Sequence, residues 1–286
     1  MLAMSMGRKT QINLVGGLGN QLFGYMAGKY LEEICGHRVV FNTWHISRGL
    51  TDHGVSLEGR GLPGKFISKP PLPRWARLAK KPFRSEELGW DPNLQMVKRG
   101  REVNGYFQSW KYLKALEKVV PSQHEILLRR SQSSWLSDLL ELIHNQKPVI
   151  VHFRRGDYKK VPEAMGLLGK DYYRKALSAL PEGLQSSPIW IFSDEPKIAR
   201  EFFADFPNEF TFIDPPQDND PGESLFLMSQ GRSHVISNST FAWWGAVLSE
   251  TSDFVMAPSP WLRGYETPRD FFPEGWILLE HEWASE

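Results

Sequence analysis

Short apolar runs recur along the chain, each closing on polar residues, with amphipathic stretches between them. Near the start, "QINLV" (11–15) and "HRVVF" (37–41) read as strands. Between them lie the turn "GGLGNQ" (16–21) and a helical pattern from Leu22 to Cys35, with Gly36 as its stop. That is one βαβ unit, which implies a parallel sheet. From Leu50 to Arg101 glycine and proline recur and periodicity fails, so this region reads as loop. Order returns with "GYFQSWKYLKAL" (105–116) and a helix near Ser134–His144.

The second half alternates more regularly. "PVIVHF", "PIWIF", "EFTFI", "SHVIS" and "DFVMA" read as strands, and Tyr172–Leu180, Lys197–Asp205, Glu223–Gln230 and Thr240–Glu250 as helices. Five buried-looking strands alternating with helices predict an open, doubly wound parallel sheet. The expected architecture is α/β, with two Rossmann-like domains facing a cleft. "NQKP" (145–148) is the linker candidate. It gives an N-terminal domain over 1–146, a C-terminal domain over 147–265, and a segment 266–286 that packs back on the first.

Composition narrows the classes. A net charge of +1 gives no reason to expect nucleic acid as a partner. No apolar run approaches the roughly 20 residues of a membrane span, and the N-terminus lacks the apolar core of a secretory signal. A single cysteine excludes an internal disulfide and fits a reducing compartment, so the expected location is cytoplasmic. The 11 Trp and 17 Phe are numerous enough to serve either as sugar-facing platforms or as core. The basic stretch "RWARLAKKPFR" (74–84) reads either as a peripheral contact with an anionic membrane surface or as a solvated segment.

Candidate chemistry sits at strand ends. In "VHFRRGDY" (151–158) His152 and Arg154 share one strand face, and Phe153 and Arg155 the other. A guanidinium fork suits phosphate, so one arginine can meet a ligand while its neighbour pairs internally, for example with Asp157. The competing reading is a surface ion-pair cluster. "GGLGNQLFG" (16–24) lies between strand and helix, where backbone amides hold anions. Gly17 and Gly19 fit a dinucleotide fingerprint, but Leu22 takes its third glycine position and Asn42 stands where a ribose-binding acid is expected, so NAD is not predicted. Asn20 and Gln21 add polar groups there. Ser237, Asn238, Ser239 and Thr240 form a polar run before a helix, read either as capping or as a second anion cradle. "IFSDEP" (191–196) puts Asp194 at another strand end. Asp218-Asn219-Asp220 looks like a metal-binding pair but sits in a proline-rich turn, where Asp and Asn are ordinary; no metal site is expected.

Together, "GGLGNQLFGYMAGKYL", "GYFQSWKYL", "VHFRRGDY", "YYRKAL", "IFSDEP" and "LMSQGRSHVISNSTFAWWGAVL", in this order and spacing, resemble the bacterial α-1,2-fucosyltransferases of glycosyltransferase family 11. The resemblance implies a GT-B-like fold, with the N-terminal domain on the acceptor side, the C-terminal domain binding GDP-fucose as donor substrate, and no cofactor or metal. It further implies inverting transfer to O2 of a terminal galactose, as in a galactose-terminated glycan of a surface polysaccharide such as O-antigen. It gives Arg154 to the donor diphosphate, His152 and Glu223 to the guanine, and Ser239 and Thr240 to a phosphate-binding helix start. Asn20 falls near the reacting sugar. Asp194, Asn238, Gly17, Gly19 and Gln21 complete the donor-binding candidates. Arg154, Asp157 and Asn20 are the catalytic ones, with Asp157 either a base or an orienting group for Arg155. Rival readings are a transferase of another GDP-sugar, a protein O-fucosyltransferase and a non-catalytic glycan-binding module.

Overall fold

The computed structural model describes residues 8–48, 54, 57–70, 73, 75, 81–117, 127–128, 132–160 and 162–284. Most of the basic stretch 74–84 and part of the region 50–101 lie outside the described residues, and with them the membrane-contact reading. The chain divides into two compact units, Met1–Ile126 with Pro268–Phe272, and Leu127–Thr267 with Pro273–Glu286.

The first unit carries a five-stranded parallel sheet of β1 (Thr10–Asn13), β2 (Val39–Asn42), β3 (Phe66–Ile67), β4 (Phe83–Arg84) and β5 (Glu102–Asn104), in the order β3-β2-β1-β5-β4. Helix α1 (Leu18–Glu33) starts four residues before the expected Leu22. Gly17 supplies an extended N-cap, so Gly19, Asn20 and Gln21 stand on the helix's first turn instead of in a loop. Glycines let α1 lie close on the sheet: a Cβ on Gly28 would sit 2.3 Å from the Phe41 ring. Helix α2 (Trp110–Ala115) begins at Ser109, whose hydroxyl accepts from Lys111 N–H. Asp270 binds Trp90 N–H, Trp110 N–H and the Ser109 hydroxyl, which ties 268–272 to this unit.

The second unit holds a six-stranded parallel sheet of β6 (Val149–Phe153), β7 (Ile189–Ser193), β8 (Phe210–Ile213), β9 (Ser233–Val235), β10 (Phe254–Ser259) and β11 (Ile277–Glu280). Its order is β11-β10-β9-β6-β7-β8. Five helices matter below: α3 (Ser134–Gln146), α4 (Lys170–Ser178), α5 (Pro196–Phe203), α6 (Pro221–Ser229) and α7 (Thr240–Val247). Every residue of β6 is buried, as a two-sided parallel strand requires. Val149, Val151 and Phe153 pack on Tyr172, Tyr173, Ala176 and Phe203. Trp190, Trp243, Trp244 and Trp261 are fully buried, so these four serve packing and not sugar stacking.

The unit boundary differs from the expected linker at 145–148. Helix α3 groups with the second unit, because Ser133 at its start is bonded to Glu223 of α6. The last segment also divides. Residues 268–272 join the first unit, while β11 extends the second sheet as a parallel partner of β10.

Gly28→Ala should destabilise the chain by about 1–3 kcal/mol, since an added methyl overpacks a closed helix–sheet contact. The shift in urea midpoint measures it, and an unchanged midpoint would show that α1 can move off Phe41.

Candidate functional site

The second sheet reverses its strand order beside β6: β7 and β8 extend one way, and β9 to β11 the other. Ligands of open α/β sheets bind outside the carboxyl ends of the strands at such a switch point. The residues at and beyond the ends of β6 and β9 there are His152 to Asp157 and Ile236 to Thr240.

Arg154 lies at the centre. Its Nη2 donates to Asp157 Oδ1 at 2.6 Å, and its Nε faces Asp194 Oδ2 at 3.2 Å, off the angle of a hydrogen bond. Burial alone would lower its pKa; the charges of Asp194 and Asp157 outweigh that and raise it. Asp194 is pushed up by burial against the pull of Arg154. Its Oδ1 accepts from Arg155 N–H at 3.1 Å. Gly156 makes this approach feasible, because a Cβ there would sit 2.2 Å from Asp194 Oδ2.

The neighbouring arginine serves the fold. Arg155 is buried, donates to the carbonyls of Leu168 and Arg154, and stacks over Phe153 and Phe202. The alternation of faces therefore holds, but the expected partnership changes: Asp157 pairs with Arg154, not Arg155. A 3-10 turn over Asp157–Lys160 folds the carboxylate back three residues.

His152 is buried, with Nδ1 2.7 Å from the Ser237 hydroxyl. Burial, aided by the Arg154 charge, lowers its pKa to about 3, so the ring is neutral. The polar run 237–240 splits. The Ser237 hydroxyl is spent on His152, and Asn238 Nδ2 donates to the Met165 and Gly166 carbonyls. Ser239 is the N-cap of α7 but makes no side-chain capping bond, and neither its hydroxyl nor that of Thr240 has a partner among the described residues. The candidate anion cradle thus narrows to Ser239, Thr240 and the first N–H groups of α7. Glu223 sits in the first turn of α6, and both its oxygens accept from Ser133, at 2.8 and 2.5 Å. A ligand there would share this carboxylate through its remaining lone pairs.

Three tyrosines, present in the quoted motifs but given no role there, hold the edge together. Tyr158 lies under Arg154, 5.4 Å from guanidinium carbon to ring centre, and its hydroxyl donates to the Asn238 carbonyl at 2.7 Å. Tyr173 and Tyr172 of α4 donate to the carbonyls of His152 and Ile236, at 3.1 and 2.5 Å. A buried tyrosine hydroxyl needs a partner, and "YYRKAL" meets that need on the two strands of the switch point.

The other candidates belong to the first unit. Gly17, Gly19, Asn20 and Gln21 surround the start of α1. Gln21 is buried and donates to the Gly16 carbonyl, while Asn20 Oδ1 accepts from Gln108 Nε2 at 2.8 Å. Asp220 caps α6 through Gly222 N–H, the turn role of its segment. Among the described residues no group of three or more His, Cys, Asp or Glu is arranged to hold a metal ion, and no helix is long and apolar enough to cross a membrane.

A family model described as Glycosyl transferase family 11 matches residues 98–280. An Escherichia coli protein named Alpha-1,2-colitosyltransferase is 28% identical, with 93% of this chain and 97% of that protein covered. The Escherichia coli O-antigen biosynthesis glycosyltransferase WbnK is 33% identical, over 64% of this chain and 62% of its own length. Among solved structures, the NodZ α-1,6-fucosyltransferase soaked with GDP-fucose superposes with a TM-score of 0.50 at 12% identity, covering 93% of this chain and all (100%) of that one. At that identity the likeness concerns the fold alone, a GT-B-like pair of Rossmann-like units.

Tyr158→Phe should cost about 1–3 kcal/mol, because it leaves the buried Asn238 carbonyl unsatisfied; chemical denaturation reads this directly. The chain should also lose stability in mild acid. His152 and buried His234 have folded-state pKa values lowered by burial to about 3 and about 4. The unfolded chain therefore binds more protons below the ordinary 6.5, and stability is complete above that value and falls as pH drops towards 4 and 3. Each histidine should remove about 2 kcal/mol by pH 5. Melting curves at pH 5 and pH 7.5 test this, and superimposable curves would contradict it.

Proposed function

Because this chain belongs to glycosyl transferase family 11, and is a glycosyltransferase, we propose that it transfers L-fucose from GDP-fucose to O2 of a terminal β-galactose. The observation that carries the reading is Arg154, a permanent cation held between two carboxylates at the switch point, with Tyr158 linking it to the strand end that starts α7. That arrangement suits a nucleoside diphosphate leaving group. The relative named for O-antigen biosynthesis supports a bacterial surface polysaccharide as acceptor, and we place the reaction in the cytoplasm.

In this reading the bond between fucose C1 and the β-phosphate oxygen breaks, its electron pair departing with GDP. The acceptor O2 bonds C1 from the opposite face, so a β-linked donor gives an α-fucoside. Negative charge grows on the diphosphate as positive charge grows on the sugar. Arg154, Ser239, Thr240 and the N–H groups of α7 oppose the former, and such fixed donors act most strongly on charge that develops in the transition state. They supply fixed hydrogen-bond donors and partial positive charge where other transferases use a metal, so the reaction should tolerate EDTA. The pairing of Asp157 with Arg154 favours an orienting role for this carboxylate. A dissociative step asks little of a base, and the hydroxyl proton passes to Asp157 or to water. His152, kept neutral, offers hydrogen bonds to the guanine without adding a titrating charge.

A second reading, colitosyl transfer, rests on the Escherichia coli relative of that name. Colitose is L-fucose without its 3-hydroxyl, so the two donors differ by one group. Assays with GDP-fucose and GDP-colitose, lactose as acceptor, and EDTA in parallel separate the possibilities. EDTA-resistant formation of fucosyl-lactose supports the main reading, colitosyl product alone supports the second, and glycan binding without release of GDP counts against both.

Arg154→Lys should lower kcat by about 100-fold or more, by comparison with removal of one oxyanion donor, since an ammonium cannot keep both the Asp157 bond and a fork toward phosphate. Turnover near that of the parent would remove Arg154 from the phosphate grip.

A further inference from the structure

The first unit has a switch point of its own. From β1 the order runs to β2 and β3 on one side, and to β5 and β4 on the other. Strands β2, β1 and β5 end in Asn42, Asn13 and Asn104, whose side chains join in a row. Asn42 Nδ2 donates to Asn13 Oδ1 at 2.9 Å, and Asn13 Nδ2 donates to Asn104 Oδ1 at 2.8 Å. The segments leaving β1 and β5 meet through Asn20 and Gln108. All these side chains are neutral amides, which cannot balance a diphosphate but match the hydroxyls of an uncharged sugar.

The Asn20–Gln108 contact has a direction. Gln108 Nε2 donates to Asn20 Oδ1, so the Asn20 carbonyl is turned toward Gln108 and its NH2 group has no partner among the described residues. Gly16, with φ of +69°, makes room for that group, since a Cβ there would lie 2.6 Å from Asn20 Nδ2. Gln108 is fixed from both sides. Phe107 before it is fully buried in a left-handed conformation at φ +53°, rare for a bulky residue. Ser109 after it donates to Asp270 Oδ2 at 2.7 Å. A non-glycine residue held in that conformation marks a backbone whose course the surroundings dictate. What this course delivers is the Gln108 amide, at the Asn20 carbonyl.

We propose that Gln108 is a positioning residue that sets the polarity of Asn20, so that Asn20 presents hydrogen-bond donors to an oxygen of a neutral hexopyranoside acceptor. This deepens the glycosyl-transfer reading above and rests on it. Gln108→Glu keeps the size and burial of the side chain but removes the donor, so the Asn20 amide should turn over to give its own N–H to the new carboxylate. Asn20→Asp keeps the bond from Gln108 and removes the outward donors.

With lactose as acceptor, each variant should raise the acceptor KM by about tenfold, the equivalent of one good hydrogen bond, while the GDP-fucose KM stays within about twofold. Methyl β-galactosides lacking the 3- or the 4-hydroxyl add a readout that a purely structural residue would not move. The parent should discriminate against one of them, and Asn20→Asp should lose that discrimination. Equal rises in both KM values, an unchanged acceptor KM, or discrimination that survives Asn20→Asp would overturn the proposal. If the parent transfers nothing from GDP-fucose, the donor reading fails by itself. Ligand-observed NMR with methyl β-galactoside then decides the amide pair. Binding by the parent that both variants lose supports it, and binding that persists in them, or is absent from the parent, overturns it.

Discussion

An arginine carried past the end of a buried strand must meet negative charge, and Arg154 meets it from two directions. Asp157 returns from the next turn, and Asp194 arrives from the end of β7. The pairs are only partly buried, with side-chain exposures of 18% for Arg154, 34% for Asp157 and 21% for Asp194, so losing one partner costs less than the full penalty of a stranded buried charge but still leaves Arg154 without a fixed position. That penalty constrains much of the surrounding sequence. Gly156 has to lack a side chain so that Asp194 can approach, and Arg155 has to give its N–H to the same carboxylate. Tyr158 has to fill the space under the guanidinium and bind the Asn238 carbonyl. The result is a cation whose position is fixed before any ligand arrives, which is the condition under which electrostatic stabilisation avoids a reorganisation cost.

The two units use the same topology for different chemistry. Each sheet reverses order beside its first strand, and each has its candidate residues at the carboxyl ends of the two strands that flank the reversal. In the second unit the edge carries a guanidinium and an uncapped helix start, suited to a phosphate. In the first it carries a row of asparagines and the Asn20–Gln108 pair, suited to hydroxyls. Amides cost less to hold at such an edge than ions do, because their desolvation is offset by their own mutual hydrogen bonds.

What the sequence made legible follows from period and strand ends. The buried strands of the second unit stand where their apolar runs fall, and the separation of Arg154 from Arg155 follows from alternation along β6. Alternation stops where the strand stops, however. Asp157 lies beyond Phe153 in a 3-10 turn, so its partner depended on a turn geometry that no two-residue period encodes. The same limit explains the polar run 237–240. Four similar residues in text become a histidine partner, a loop tie and two ligand-facing candidates once the backbone bends. Strands β3 and β4 have two residues each, too short for any period, and the hydroxyls of Tyr158, Tyr172 and Tyr173 reach backbone carbonyls that sequence spacing does not mark.

The buried histidine bears on the charge of the proposed phosphate edge. Had His152 carried charge, the edge would have lost a positive charge as pH rose through its titration, and a nearby anion would have been held less tightly. Burial and the neighbouring guanidinium keep it neutral instead. The groups of this edge that can meet an anion are then the guanidinium donors of Arg154, whose charge Asp157 and Asp194 offset, and the helix dipole, neither of which titrates near neutrality. Acid should therefore act on this chain through unfolding before it acts on the proposed anion grip.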